Sequence, residues 1–302
     1  MALGAIMAGL LAVFFLDHWK DACETLAANF GNVHVLRHDI FDLATNTILG
    51  FIPRLVDILH ISFPCQPHSP AHTALGRNDE RNIAAGYSVI PLLEQHKPRI
   101  LTMEQTSGIV THGGGDHFRA LIHQITSMGY NVRAGILNCA DYNCVQARKR
   151  LFIIASCPGE PLPPFPQPTN GVTPGLKPFK TIARILSRIN PFTIPAHMRA
   201  FTAKFAAPYD ANQPLHSCIT TNGGQSDVHP SGRRSFNLQE LACLAGFPQS
   251  HAFYGCKTSI RRQIGNAVPP PVAKAIFKQV IQTMRETDSV EAEWEPEVIE
   301  LD

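Results

Sequence analysis

Short apolar runs alternate with amphipathic stretches over the first half of the chain, a pattern that predicts a parallel α/β sheet. Strands are expected at 12–16, 33–36, 56–62, 99–103, 131–137 and 151–155, and helices at 19–29, 80–96 and 116–128. Ala2 to Leu10 reads as the end of a small-residue helix ahead of a buried strand, Ala12-Val13-Phe14-Phe15-Leu16. The uncharged stretch Met1 to Leu16 has no basic residue before it and is shorter than the roughly 20 residues that span a bilayer, which argues against an anchor or signal peptide. From Cys157 the pattern changes. Pro158-Gly159-Glu160-Pro161-Leu162-Pro163-Pro164-Phe165-Pro166 reads as a linker, since proline cannot donate to a sheet ladder. Residues 170–235 have weak periodicity and many turns, as in a small irregular lobe. Asn237-x-x-Glu240 predicts a capping box opening a helix that ends before Gly246, and a last helix over 271–285 should pack back on the first lobe. The expected division is a first domain of 1–157 with 258–285, a second lobe of 158–257, and an acidic disordered tail of 286–302.

At 302 residues, 44% apolar and 17% charged, the chain has the composition of a globular protein with room for one large core and a smaller lobe. Its eight cysteines include no Cys-x-x-Cys pair, which argues against a zinc ribbon and for a reducing compartment. His68 and His72 have helical ligand spacing, but the prolines around them argue against zinc. No metal is expected. The net charge of +2 hides an asymmetry: from Glu286 onward there are eight acids and no Lys or Arg. The body without that tail has 26 basic residues against 16 acidic ones, an excess that suits a polyanion or simply a solvated surface.

The chemistry gathers at strand ends. The run Ile58-Leu59-His60-Ile61-Ser62-Phe63 stops at Pro64-Cys65, which holds a sulfur at the carboxyl edge of the sheet, where open α/β folds bind ligands. A buried structural cysteine is the other reading. Asp17 closes the first strand, where it either accepts bonds from ribose hydroxyls or caps the next helix. Asp39 either contacts a base or caps a turn. Glu104 ends the strand beside Cys65, where apolar surroundings can raise a carboxyl's pKa; a surface glutamate is the plainer outcome. In Gln146-x-Arg148-x-Arg150 the alternation of an extended segment puts both guanidiniums on one side, suited to phosphate or a base carbonyl, or to an ordinary basic edge.

Together these segments resemble the C5-cytosine DNA methyltransferase family. Pro64-Cys65-Gln66-x-x-Ser69 looks like its nucleophile loop, Met103-Glu104-Gln105-Thr106 its glutamate motif and Gln146-x-Arg148-x-Arg150 its arginine motif. Arg234 to Pro248 and Gln263-x-Gly265-Asn266-Ala267-Val268-Pro269 resemble the last two motifs, in order, and the likeness covers roughly residues 4–285. Glu104-Gln105-Thr106, Ser69-Pro70-Ala71-His72-Thr73 and Pro98-Arg99-Ile100-Leu101 are similar to the fungal branch tied to repeat-induced point mutation and premeiotic methylation, which implies a nuclear protein. The resemblance implies a Rossmann-like S-adenosylmethionine-dependent methyltransferase sheet with a small target-recognition lobe, acting on duplex DNA with a flipped-out cytosine. It also implies catalytic roles for Cys65, Glu104, Arg148 and Arg150. Asp17 and His18 would bind the cofactor's ribose and adenine, Asp39 its adenine amino group, and Pro64, Asn266 and Ala267 would line the same site.

One departure qualifies the match. The family's first motif, a strand with Phe-x-Gly-x-Gly, would precede Met1, and Gly4 to Leu10 looks like the helix after it. A catalytically silent DNA-binding relative or fragment is therefore an alternative to an active enzyme, as is a tRNA cytosine-5 methyltransferase.

Overall fold

The structure is a computed structural model that describes residues 1–45, 56–63, 85–203, 207–221 and 227–293, with side chains to residue 289. In chain order its elements are α1 (Ala2–Ala8), β1 (Phe14–Asp17), α2 (Lys20–Asn29), β2 (His34–Arg37), α3 (Ile40–Ala44), β3 (Ile58–Ile61), α4 (Val89–His96), β4 (Ile100–Thr106), α5 (Asp116–Ser127), β5 (Asn131–Asn138) and β6 (Lys149–Ser156). Then follow α6 (Ile182–Leu186), α7 (Leu238–Leu244), α8 (Lys257–Asn266) and α9 (Pro270–Glu293). All six expected strands form close to their expected bounds. The part of the 80–96 helix before Ala85 lies outside the described residues.

The sheet is mixed rather than parallel. β1 pairs parallel with β2, and β3 with β4, but β6 runs antiparallel to both β4 and β5. The reason is the connection: β5 and β6 are joined by one short turn through Cys139–Tyr142, too little chain for the crossover that parallel strands need. The strands form two ladders, β1-β2 and β3-β4-β6-β5, and among the described residues neither β1 nor β3 has a partner on its second side. Both ladders face one core, where Phe14, Leu16 and Leu36 pack with Leu59, Ile61 and Met103. Burial separates them: every residue of β4 is buried, while every residue of β1 is half-buried.

A second core gathers residues of the later chain, including Ile182, Leu238, Leu241, Phe253, Ile260 and Ile264. Helix α8 therefore packs with this core, although its residues were expected with the first lobe. It is also bonded to α2, where Thr25 Oγ1 donates to Gln263 Oε1 at 2.7 Å with Arg262 stacked 5.0 Å over the Trp19 ring, and Asn29 Nδ2 donates at 2.8 Å to the Ala252 carbonyl in the segment before α8. The capping box at Asn237 forms as expected, with its side chain accepting from Glu240 N and Glu240 Oε2 accepting from Asn237 N. The proline-rich linker is strapped to the sheet. Phe165 lies over Gly135 so closely that a Cβ there would sit 2.6 Å from its ring, and Tyr142 Oη donates to the Pro166 carbonyl at 2.9 Å.

Helix α9 continues to Glu293, into what composition marks as a disordered acidic tail. Arg99 explains the extension, since its guanidinium holds Glu160 and also Asp288 at 2.6 Å, on the added turns of the helix. At the other end, α1 packs on α9 through Gly4, where a Cβ would meet Ala273 Cβ at 2.3 Å.

Candidate active site

Pro64 and Cys65 lie outside the described residues, as do His68 and His72, but the entry to their loop is fixed. Phe63 is buried, and its carbonyl accepts a bond of 2.8 Å from Gln105 Nε2. The parallel register that places Ile61 beside Met103 makes this bond, because two residues further along each strand bring Phe63 to Gln105. Gln105, the residue after Glu104, thus anchors the point where the chain leaves β3 toward Pro64-Cys65. One strand back, His60 bonds Thr102 through Nδ1 and Ser62 through Nε2, both at 2.9 Å, and burial pushes its pKa down to about 3, so the ring stays neutral.

Glu104 and Arg150 meet across β4 and β6. Thr106 pairs with Arg150 and Glu104 with Phe152, so the period of two puts Glu104 and Arg150 diagonally on one face. Arg150 Nε stands 3.2 Å from Glu104 Oε1, and both side chains are largely buried. Burial raises the Glu104 pKa above the ordinary carboxylate range, while the charges of Arg150, Arg148 and the Met1 amino group act against it. That amino group is itself buried, which lowers its pKa to about 6. The product is a carboxyl that holds its proton more tightly than an exposed glutamate does.

Arg148 does something else. Extended alternation implied two guanidiniums lining one open face, but Arg148 is 3% exposed and its bonds go to the protein: Cys218 Sγ at 3.0 Å, the Gly265 carbonyl at 3.0 Å, and the Ile219 and Asn266 carbonyls at 3.4 Å. It joins the second lobe to the end of α8. Gly265 permits the approach, since a Cβ there would lie 2.6 Å from Thr221 N. Gln146, also buried, accepts from Ile219 N at 3.1 Å and reinforces the joint. Gln146 is legible in the sequence as the first residue of the arginine motif, though without a role of its own, whereas Cys218 is not. For Cys218 no spacing signal exists; only the fold brings it to the arginines.

The candidate cofactor residues divide. Asp17 closes β1 with a half-exposed carboxylate, one oxygen of which accepts from Trp19 N at 2.8 Å. Its pKa is raised, chiefly by burial, and lowered in part by the Trp19 amide and the His18 charge. His18 stands beside it, 72% exposed. Asp39 performs the capping role: its Oδ1 accepts from Phe41 N at 3.1 Å in a reciprocal box with Asp42. Asn266 ends α8 and Ala267 caps it. The bonds from α2 to α8 and the Arg262–Trp19 stack bring this end of α8 to the same side of the molecule as β1's carboxyl end. An exposed acid at a strand end fits the hydroxyls of a nucleoside. Among the described residues no three His, Cys, Asp or Glu side chains cluster as a metal ion requires, and no helix is long and apolar enough to cross a membrane.

The chain matches the family described as C-5 cytosine-specific DNA methylase over residues 1–212 and 196–282. It belongs to that family. Members are DNA (cytosine-5) methyltransferases whose methyl donor is S-adenosyl-L-methionine, and the half-exposed Asp17 carboxylate has the chemistry to accept from that molecule's ribose hydroxyls. Among curated proteins, the Type II methyltransferase M1.HphI of Haemophilus parahaemolyticus is 28% identical over 313 residues, covering 93% of this chain and 83% of its own. M.NgoMIV of Neisseria gonorrhoeae is 26% identical, with 94% of each chain covered. Among solved structures, Schizosaccharomyces pombe Dnmt2 superposes with a TM-score of 0.65 at 16% identity, over 95% of each chain. Spodoptera frugiperda DNMT2 gives 0.66 at 18%, over 93% and 96%. At such identities the structures speak for the methyltransferase fold.

Proposed function

We propose that this family member methylates C5 of a cytosine flipped out of duplex DNA, through a covalent bond from Cys65 to C6. The observation that carries the reading is the buried Glu104–Arg150 pair beside a nucleophile loop that Gln105 anchors. C5 of cytosine is a poor nucleophile, and addition of the Cys65 thiolate to C6 moves electron density onto it. Glu104, holding a proton, donates to N3 as charge develops on the ring, and Arg150 donates to O2. S-adenosylmethionine, when bound, supplies the methyl group that C5 takes. Loss of the C5 proton and β-elimination then release Cys65. Arg148 braces the site by holding Gly265 and Asn266 rather than by touching the base.

A base inside a duplex cannot reach a thiol in a cleft, and unstacking it costs roughly a few kcal/mol. The second lobe has the charge to hold the backbone meanwhile: residues 161–209 contain six Lys or Arg and no Asp or Glu. We divide the chain accordingly, with 1–157 and 258–285 holding cofactor and base and 158–257 meeting the DNA. The fungal affinity and nuclear location rest on Glu104-Gln105-Thr106 and its companion segments alone, and the Haemophilus and Neisseria relatives lend them no support. The test is tritiated methyl transfer from S-adenosylmethionine, with duplex DNA and tRNA as parallel acceptors. Label on DNA that vanishes in Cys65→Ser supports the proposal. Label on tRNA alone, or undiminished label with Cys65→Ser, overturns it.

A further inference from the structure

We propose that Cys218, contributed by the second lobe, is a positioning residue for the Glu104–Arg150 pair. Its sulfur lies 3.0 Å from Arg148 Nη1 and 4.0 Å from Arg150 Nη2. The remaining bonds of the two guanidiniums diverge. Arg148 is held by the carbonyls of Ile219, Gly265 and Asn266, whereas Arg150 is held by the Lys149 carbonyl at 2.7 Å and by Glu104. Among the described residues the sulfur is the acceptor both guanidiniums have in common.

Arg150 explains why this matters. Nε faces the Glu104 carboxyl and Nη1 faces its own strand, which leaves Nη2 directed at Cys218. With Nε and Nη1 held, the 4.0 Å contact from Nη2 to the sulfur restrains the planar guanidinium against turning away from the carboxyl. Sulfur accepts weakly and at long range, so it restrains Arg150 without competing with Glu104 for the charge. Arg148, buried and immobile, fixes the sulfur in turn. Because Cys218 belongs to the lobe assigned to DNA, the position of that lobe is transmitted to the group that meets the base.

The charged groups that act on Glu104 are Arg150 and Arg148 from β6 and its approach and the Met1 amino group from the start of α1; the Cys139 thiol, from the turn after β5, feels the Glu104 charge and burial keeps it protonated. Cys218 contacts both arginines, and of the two Arg150 is the one whose Nε faces the carboxyl and which lacks the backbone carbonyls of Ile219, Gly265 and Asn266 that hold Arg148. Without the sulfur the Arg150 guanidinium gains freedom to leave the carboxyl, and Glu104, less compensated, keeps its proton to higher pH.

The inference rests on the reading that Glu104 acts as a proton-bearing partner of the base, so its test has an arm that needs no activity. In protein labelled with ¹³C at glutamate carboxyls, and assigned with Glu104→Gln, the Glu104 titration is followed by NMR. Cys218→Ala should move it upward by about one pH unit. Cys218→Ser, which keeps an acceptor, should recover most of that. In methyl transfer, Cys218→Ala should lower kcat about tenfold with KM for DNA nearly unchanged, and carry the alkaline limb of kcat upward with the titration. If the alanine variant does not fold, Cys218→Val, of closer volume and without an acceptor, takes its place. An unmoved Glu104 titration beside a lowered melting temperature makes Cys218 a packing residue and overturns the proposal. A moved titration in a protein that transfers no methyl upholds Cys218 and refutes the functional reading instead.

Discussion

β4 and β1 are both apolar strands that carry an acid in the carboxyl half, and they are built very differently. β4 has ladders on both sides, seven buried residues and a glutamate that faces Arg150; the strand runs two residues past Glu104, which was expected to end it. β1 has one ladder, four half-buried residues and a terminal aspartate whose carboxylate faces solvent in part. On the proposed reading the contrast separates two tasks. Glu104, buried and paired with Arg150, would meet the base. Asp17, half-exposed, would offer an acceptor to the hydroxyls of the cofactor.

The largest effect that would sharpen this contrast is on rate. Replacing Glu104 with Gln should lower kcat by about 10²–10⁴, the usual range for a proton-transferring group, with the affinity for S-adenosylmethionine unchanged. Asp17→Asn should do the reverse, weakening cofactor binding about 10- to 100-fold by calorimetry while leaving kcat at saturation nearly intact, as for loss of a charged hydrogen bond. A fall in kcat from Asp17→Asn at saturating cofactor would dissolve the division.

Stability should follow burial. Leu101→Ala in β4 removes a fully buried side chain and should cost about 2–5 kcal/mol, read from denaturant midpoints. Phe15→Ala in β1, though a larger truncation, should cost less than Leu101→Ala, because the ring is half-exposed. Equal costs would mean that β1 is as well supported as β4.

The smallest effect is in pH. The raised pKa of Glu104 means that its ionised form is disfavoured by folding. The folded state holds the proton longer than the unfolded one, so the penalty is absent below the ordinary glutamate pKa and complete above the folded value. Glu104→Gln removes that penalty. Its melting temperature relative to the parent should therefore be higher at pH 8 than at pH 4, and a difference that shrinks with rising pH would contradict the environment assigned to Glu104.

Much of this was legible in the chain. Strand positions followed from short apolar runs, and the capping box at Asn237 from two residues three apart. Direction was not legible, because the β5–β6 turn and a crossover leave the same apolar pattern. Nor was the fate of Arg148: alternation places a side chain on a face, but burial by Cys218, Ile219 and Gly265 depends on residues about 70 and 117 positions away. The start of the acidic tail, to Glu293, is helical for a similar reason, since Arg99 supplies a countercharge 189 residues distant; residues 294–302 lie outside the described residues.

The central claim is that Cys65, Glu104 and Arg150 act on one cytosine. It is tested most directly with a duplex containing 5-fluorocytosine, from which the final elimination cannot remove fluorine as a proton. In the presence of S-adenosylmethionine the protein should form a complex that survives denaturing electrophoresis, lost in Cys65→Ser and strongly slowed in Glu104→Gln. A complex formed equally by Cys65→Ser would contradict the account.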